Sequence, residues 1–509
     1  MLKLLIGNFD RGIRWLLYLL VLSIPIRELP SNYPIPAFLK NVPYAFLMIL
    51  LLVTIIYYLV NRNDFHINSR WIKIYLAVCV IWPFISTIHG IFIFPYWDEN
   101  TNEFIRNSTL VQKIAVFYPD ILYDNNLLRL KFNNSLLIAT IHNFLMPLLG
   151  IPFIFYVSFK DKSWQYILNV FGKAAFIAAF AMVAYSLVEI PWLLTGNQTC
   201  AEILEMINVH LYDVKTAHDW WPPLLWNNQL RSFTQEPSFF GIISVFIIPM
   251  LWYKSNEKKT LFLLTFFTYM IFMTKARTAQ VIFLSEILLF LLFTFLGKYP
   301  NWRKTATRIL GVTILSFLLY LSLPIVLASI SGSANHQSLH TAFTDYVDKD
   351  VVSVGSVSKR SNMARWGDTV ALFNVGIEHP IFGVGTGLES PYIADNIPAF
   401  AQDDREINQW LSMLRKDGWL KSSIPPLNEF GAVFARYGLV GLILFLLPLF
   451  GIGVLFFKYR NKLLRDFGLI CALVMLAGQV ACLFSNSFFL TYPLALTLVI
   501  ILIFKEKVL

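Results

Sequence analysis

The chain has 509 residues, of which 57% are apolar, 16% aromatic and only 14% charged. Soluble domains carry about 25% charged residues, so this composition excludes an ordinary soluble protein and predicts a polytopic membrane protein. The net charge of +10 does not indicate a nucleic-acid partner, because the basic residues lie mostly in short loops between apolar runs. Three of the four cysteines lie in apolar runs, so neither a disulfide framework nor a metal site is expected.

Apolar runs of roughly 17 to 25 residues, the length that crosses a bilayer, recur along the chain. They predict nine spans in residues 1–331, a long polar loop at 332–430, and three more spans in residues 431–509. The predicted spans lie near residues 12–29, 42–60, 71–94, 135–158, 166–194, 237–254, 260–275, 279–297, 308–331, 431–457, 467–484 and 487–504. The sequence therefore predicts an all-α bundle of about twelve membrane helices.

Lys and Arg mark one side of this predicted bundle. They occur in the first tail, in every second loop after it, and again after the last span at Lys505 and Lys507. Because cytoplasmic loops carry an excess of these residues, both termini are expected in the cytoplasm. The long loops near residues 95–134, 195–236 and 332–430 are then expected on the extracytoplasmic side.

Two amphipathic helices are predicted inside the 332–430 loop. Apolar residues recur there at three- and four-residue spacing over residues 362–378 and 404–416. The apolar face of the first helix is expected to consist of Met363, Trp366, Val370, Phe373 and Ile377. Arg365 and Asp368 would then lie on its polar side. Both helices are expected to lie on the membrane surface or to cap the bundle.

Five of the basic residues on the predicted outer side, where few are expected, are candidates for one ligand site. Arg231 precedes the sixth span, Lys275 and Arg277 occupy the turn between the seventh and eighth spans, and Arg360 and Arg365 lie in the large loop. Guanidinium groups pair with phosphate oxygens through two parallel donors, so a converging set of them predicts a phosphate site. The alternative is that each one is a membrane anchor or a salt-bridge partner.

Other polar residues near these cations have two interpretations each. Glu236 is suited to act as a general base, and it is also placed to cap the helix that begins at Pro237. His379 is a second candidate base, or it simply ends the helix before Pro380. The three glycines that follow are expected to form a tight turn rather than a phosphate cradle: Gly383, Gly385 and Gly387.

Three separated motifs follow one another across about 210 residues. They are residues 231–241 (RSFTQEPSFFG), residues 275–279 (KARTA), and a set that runs from Arg365 through residues 379–385 (HPIFGVG) to residues 426–430 (PLNEF) and 437–442 (YGLVGL). In order, spacing and sidedness these motifs resemble the bacterial O-antigen polymerase and O-antigen ligase superfamily of membrane glycosyltransferases.

The resemblance implies transfer of an oligosaccharide from an undecaprenyl-diphosphate carrier, without metal or other cofactor, at the periplasmic face of the bacterial inner membrane. Together with the polar residues described above, it leads us to expect a catalytic set of Arg231, Arg277, Glu236 and His379. It implies a diphosphate- and glycan-binding set of Lys275, Arg360, Arg365, Asn428 and Glu429. The implied partners are the carrier-linked oligosaccharide, membrane lipid, and a chain-length regulator and a flippase of the same pathway.

Leu427 bears on which member of the superfamily this is. Ligases of the family carry His before the Asn at this place, so no base can be assigned to Leu427, and the general base stays open among Glu236, His379 and Glu429. This difference favours a polymerase of lipid-linked repeat units over a ligase that transfers glycan to lipid A core.

A flippase or exporter of the same lipid-linked glycan is a third alternative. Transporters usually place charged residues deep inside their spans. The predicted spans are almost uncharged in their middles, and the charges cluster at the outer rim. The sequence therefore favours an enzyme that acts at the membrane surface.

Overall fold

The computed structural model describes residues 9–26, 29–30, 33–35, 37–61, 69–212, 229–297, 299, 302–330, 338–348, 360–485 and 490–505. Within these ranges the secondary-structure elements are all helical, with no β-strand among them. The predicted start of the large loop, near residue 332, lies outside the described residues.

The main helices of the described ranges form the bundle and the layer of loops at its end. In chain order they are α1 (Phe9–Ser23), α2 (Val42–Val60), α3 (Arg70–Ile93), α4 (Asn125–Phe159), α5 (Trp164–Thr195), α6 (Gln198–Leu211), α7 (Pro237–Tyr253), α8 (Lys258–Met273), α9 (Arg277–Leu296), α10 (Trp302–Ile330), α11 (Leu339–Tyr346), α12 (Arg360–Glu378), α13 (Glu389–Asp395), α14 (Arg405–Asp417), α15 (Glu429–Leu463), α16 (Phe467–Cys482) and α17 (Thr491–Lys505). Shorter helices at Ala37–Lys40, Glu99–Arg106 and Thr109–Ala115 lie in loops.

Each of the twelve predicted spans coincides with one of these helices. Seven of the described helices are long and apolar enough to cross a membrane, namely α2, α3, α4, α5, α9, α10 and α15. The other five, α1, α7, α8, α16 and α17, have 15 to 17 residues. At 1.5 Å per residue they span about 23 to 26 Å, less than a hydrocarbon core of about 30 Å. The all-helical fold is confirmed for the described residues, with seven helices long and apolar enough to span a membrane, and twelve crossings stay a prediction.

Two of the long helices are irregular inside the bundle. In α4 the stretch Ile141–Gly150 is π-helical and contains Pro147. In α15 the backbone is broken at Gly438, whose φ is +66°. A Cβ at position 438 would overlap the backbone of Ile381, so the close approach of the large loop requires glycine there.

The loops that were predicted to share one side contact one another. At one end Lys162 pairs with Asp10, and the Lys505 ammonium contacts the backbone of Lys160, which joins three of the basic segments. The three segments therefore lie at the same end of the bundle, as the charge pattern predicts.

The opposite end collects the long loops. The Trp419 Nε1 donates to Thr101 Oγ1 at 3.1 Å, and the Tyr96 hydroxyl donates to Asp395 at 2.6 Å. These bonds join the loop near residues 95–134 to the large 332–430 loop. The two loops form one apolar layer with its own small core around Trp419, Ile407 and Leu388.

The predicted helix at residues 362–378 exists as α12, and Asp368, predicted on its polar side, lies on its buried side. Its buried side carries Ala364, Asp368, Ala371, Leu372 and Val375. Trp366 and Ile377, two residues of the predicted apolar face, are 57% and 66% exposed. The physical reason is that α12 packs closely on α15 through small side chains, so the bulky apolar side chains face outward and Asp368 faces inward.

The second predicted helix of the loop is confirmed as α14. Asp404 caps it by accepting the backbone amides of Glu406 and Ile407 at 2.9 and 3.2 Å. Ile407 is fully buried against the loop core, with Trp410 and Leu414 partly buried beside it.

Candidate functional site

The site is built at the point where α7 and α9 begin. The sequence predicted a short turn here, and α8 indeed ends at Met273 while α9 starts at Arg277. A Cβ on Gly241 would overlap the Cβ of Ala279, so the first turns of α7 and α9 lie against each other. Neither the N-cap of α7 nor that of α9 makes a side-chain capping bond. Two helix N-termini, each favourable for an anion, thus meet at one place.

Arg365 reaches this place from the large loop. It interacts electrostatically with Glu406, Glu236 and Arg277, and its Nε donates to the Ser485 carbonyl at 3.4 Å. Burial lowers the pKa of Arg365, the two carboxylates oppose that shift, and Arg277 adds to it. We call Arg277, Arg365 and Glu236 the cationic group. The sequence predicted all three as site residues, and the structure brings them together.

Of the two roles that the sequence left open for Glu236, the structure shows the helix cap, and the role of general base stays a prediction. It occupies the N-cap position of α7 with Pro237 next to it, and its carbonyl accepts the amides of Phe239 and Phe240. Its carboxylate makes no capping bond; instead it accepts the Ser238 hydroxyl at 2.7 Å and interacts with Arg365. The backbone of Glu236 therefore caps the helix, and its side chain belongs to the cationic group.

Arg231 lies in a buried network beside α5 and α6. It is 1% exposed, donates from Nη1 to the Thr234 carbonyl at 2.8 Å, and stacks over the Tyr212 ring at 4.9 Å. The Glu189 carboxylate accepts the backbone amides of Arg231 and Ser232 at 2.9 and 2.8 Å. These contacts hold the loop in front of α7 in place. A catalytic role for Arg231 stays a prediction.

Asn428 and Glu429 bond to the same short segment after α16 as Arg365 does. Asn428 caps α15 by accepting the Gly431 amide at 3.0 Å, and its amide group donates to the Phe484 carbonyl at 3.4 Å. The Glu429 amide donates to the Leu483 carbonyl at 2.9 Å. The Arg365 Nε bonds to the Ser485 carbonyl. The carbonyls of the three consecutive residues 483–485, which follow α16, therefore connect Arg365 of the cationic group to the first residues of α15.

A buried ion group that the sequence did not predict lies behind Glu429. Arg436 donates from Nε and Nη2 to Glu389 Oε1 at 2.8 and 2.5 Å, and its Nη1 lies 4.0 Å from Glu429 Oε1. We call Arg436, Glu389 and Glu429 the buried ion group. The available signals were Arg436, a lone charge inside an apolar run, and Glu389, which closely follows the glycine turn.

Asp368 stands between the two groups. It is one helical turn from Arg365 on α12, its Oδ2 accepts the Leu427 amide at 2.6 Å, and it interacts with Arg436. Burial raises the pKa of Asp368 to about 7, while the Leu427 amide and Arg436 lower it. A buried carboxyl with a raised pKa thus lies on the boundary between the cationic and the buried ion group.

His379 is separated from the cationic group. It lies fourteen residues beyond Arg365, just past the end of α12, which corresponds to about 21 Å along the helix axis. Its ring packs edge-on against Tyr392 at 5.3 Å, and burial lowers its pKa. The interpretation of His379 as the end of the helix is therefore confirmed. The glycines after it form the predicted turn, with φ of +68°, +84° and +77° at Gly383, Gly385 and Gly387.

The two remaining predicted site residues, Lys275 and Arg360, lie near the starts of α9 and α12. Lys275 is in the turn before α9 with a φ of +50°, an unusual backbone conformation for a residue other than glycine. Arg360 is the first residue of α12, and its side chain lies outside what the structure describes. In the described part of the chain no group of three or more His, Cys, Asp or Glu side chains is arranged to hold a metal ion.

Comparison with known proteins adds no assignment. The chain matches no protein-family model, no curated protein and no solved structure.

Proposed function

We propose that the protein is a polymerase of lipid-linked oligosaccharide repeat units at the periplasmic face of a bacterial inner membrane. A hydroxyl oxygen of the acceptor sugar attacks the anomeric carbon of the donor glycan, and the bond from that carbon to the undecaprenyl diphosphate oxygen breaks. The diphosphate carrier leaves with the electron pair of that bond. The hydroxyl proton passes to a carboxylate and then to bulk water or to the carrier.

One observation carries this proposal. Arg277 and Arg365, from separate parts of the chain, meet over the N-termini of α7 and α9. Both the guanidinium groups and the helix ends favour a group with two or more negative charges. A leaving diphosphate develops such charge, and fixed cations stabilise it in the transition state.

Of the three candidate bases, Glu429 is the best placed for the acceptor. His379 lies about 21 Å along the helix axis from Arg365. Glu236 interacts with Arg365, so we assign it to positioning of the arginines. Glu429 belongs to the buried ion group and lines the cavity next to it. A carboxylate there is suited to receive a hydroxyl proton.

The proposal predicts that Arg277→Ala and Arg365→Ala each abolish the glycan ladder in cells while membrane abundance stays close to that of the unaltered protein. The matched control is Arg415→Ala, because Arg415 is an exposed arginine of the same loop, on α14. Gel analysis of surface glycan from the three variant strains measures this. Normal ladders from both site variants would exclude the cationic group as a diphosphate site.

Loss of the whole protein separates a polymerase from a ligase. One repeat unit on the lipid A core indicates that the lost protein was a polymerase, and a core without glycan indicates that it was a ligase.

A flippase or exporter is a second candidate because of Glu286. This residue lies in the middle of α9, is 1% exposed, and neither carboxyl oxygen has a hydrogen-bond partner among the described residues. It is an exception to the expectation that the spans are uncharged in their middles. A transporter that uses Glu286 would fail on Glu286→Gln and leave the carrier-linked repeat on the cytoplasmic side. A surface polymerase would keep its ladder in this variant.

A further inference from the structure

A cavity of about 340 Å³ adjoins the buried ion group. Its polar wall includes Glu389, Glu429, Arg436 and Asn143, and its apolar wall includes the rings of Tyr44 and Phe144. The wall is built from several separate segments, which are the loop before α2, the π-helical part of α4, the glycine turn and the start of α15.

Two irregular stretches of the membrane helices lie at or directly beside this cavity. The π-helical Ile141–Gly150 supplies Asn143 and Phe144, and the break at Gly438 directly follows Arg436 and Tyr437. π-Helical turns occur frequently at functional sites. Irregular backbone at membrane depth is tolerated where it is buried or lines a cavity, and such stretches often mark binding sites in membrane proteins.

The cavity wall contains an unsatisfied acceptor. Glu389 is 7% exposed, and its Oε1 receives both bonds from Arg436. Its Oε2 is buried and has no hydrogen-bond partner among the described residues. Leaving a buried acceptor without a partner costs free energy, so a ligand that donates a hydrogen bond to this oxygen is favoured.

The lining identifies the class of that ligand. Two carboxylates face one guanidinium, so the wall disfavours an anion. No trio of His, Cys, Asp or Glu ligands for a metal occurs in the described ranges. A sugar ring presents hydroxyl donors on its edge and C–H groups on its face, and these match the carboxylates and the rings of Tyr44 and Phe144, respectively.

We infer that this cavity binds a sugar residue of the acceptor glycan, separately from the diphosphate at the cationic group. The two places are adjacent, because the Glu429 amide and the Arg365 Nε bond to Leu483 and Ser485, two residues apart. The identity of the sugar as the acceptor rests on the proposed function. The existence of a sugar site does not.

The inference is tested with carrier-free oligosaccharide, released by mild acid from the carrier-linked repeat units of the producing cells. Saturation-transfer NMR on the purified detergent-solubilised protein should detect binding. Asn143 is solvent-exposed at the cavity, so Asn143→Trp should fill the space without disturbing the Arg436–Glu389 pair and weaken binding at least tenfold. Ile141→Trp is the matched control, because Ile141 is exposed on the same helix outside the cavity lining, and it should bind as the unaltered protein does. Glu389→Gln provides a second variant, with weaker binding expected.

Equal binding by the unaltered protein and Asn143→Trp would overturn the inference, as would an absence of binding in a preparation that still polymerises. Arg277→Ala should retain binding, because the probe has no diphosphate. If the oligosaccharide binds in this cavity and the protein nevertheless makes no ladder from carrier-linked repeats, the proposed function fails while the sugar site stands.

Discussion

Asp368 is a buried carboxyl whose pKa, about 7, is far above the 3.8 of the free side chain, chiefly because of burial. A group with a raised folded-state pKa contributes stability below the unfolded pKa and loses it as pH rises through the folded pKa. Stability should therefore decline between about pH 4 and pH 7, by up to about 1.4 kcal/mol per pH unit. Asp368→Asn should remove this part of the decline.

Thermal unfolding of detergent-solubilised protein at pH 5 and pH 8 measures the effect. From pH 5 to pH 8, the melting temperature of the unaltered protein should fall further than that of Asp368→Asn. Asp403→Asn is the control, because Asp403 is exposed in the same loop and should leave the pH dependence unchanged. An identical pH dependence for Asp368→Asn and the unaltered protein would show that Asp368 does not titrate in this range.

Single residues of the site differ in how far the sequence could predict them. Arg277 and Arg365 stand out because they lie on the predicted outer side, where few basic residues are expected, and Glu429 belongs to the motif at residues 426–430. The pair of Arg436 and Glu389 does not, because its members are 47 residues apart and one of them lies inside an apparent span. Only the packing of the glycine turn against α15 brings them together, and no periodicity in the sequence encodes that contact.

Among the elements, the helices themselves were predictable, whereas the face that each one buries was not. Hydropathy located a helix at every predicted span, since a membrane segment needs an apolar surface all round. For α12 the three- and four-residue spacing did not identify the face that packs on the protein, because the larger apolar residues Trp366 and Ile377 face outward while Ala364 and Ala371 are buried. Size complementarity between two helices decides this face, and a hydrophobic pattern does not report it.

The close contact between α7 and α9 can be tested by a substitution at Gly241. Gly241→Ala should place a methyl group on the Ala279 side chain and force the two N-termini apart. We expect a loss of about 1 to 3 kcal/mol in stability, typical of overpacking, and a shorter glycan ladder because Arg277 moves with α9. Gly451→Ala in α15 is the control, because a Cβ there meets no atom within 4 Å. A melting temperature for Gly241→Ala no lower than that of the control would contradict the close packing.

At the scale of the whole molecule, the structure groups the loops at two ends, and the charge pattern assigns each end to a side. A cysteine at Ser412 on α14, an exposed position, should react with a membrane-impermeant thiol reagent added to cells with a permeabilised outer membrane. Ser390, in the same loop, is not a suitable labelling position, because its side chain is buried and accepts the Ile424 amide at 2.8 Å.

The background for this test is Cys200→Ser, since the other three cysteines are buried. Asp161→Cys, in the exposed loop between α4 and α5, should react only after the inner membrane is lysed. The reverse labelling pattern would place the cationic group in the cytoplasm and exclude a periplasmic polymerase.

The central claim is that the cationic group transfers glycan from one carrier diphosphate to a second carrier-linked repeat. The most direct measurement is incubation of the purified protein with carrier-linked repeat units isolated from the producing cells, followed by gel analysis of product length. The unaltered protein should yield a ladder without added nucleotide, and Arg277→Ala should leave the single repeat unchanged. A purified, folded protein that makes no ladder, or an Arg277→Ala variant that makes a normal one, would contradict the account.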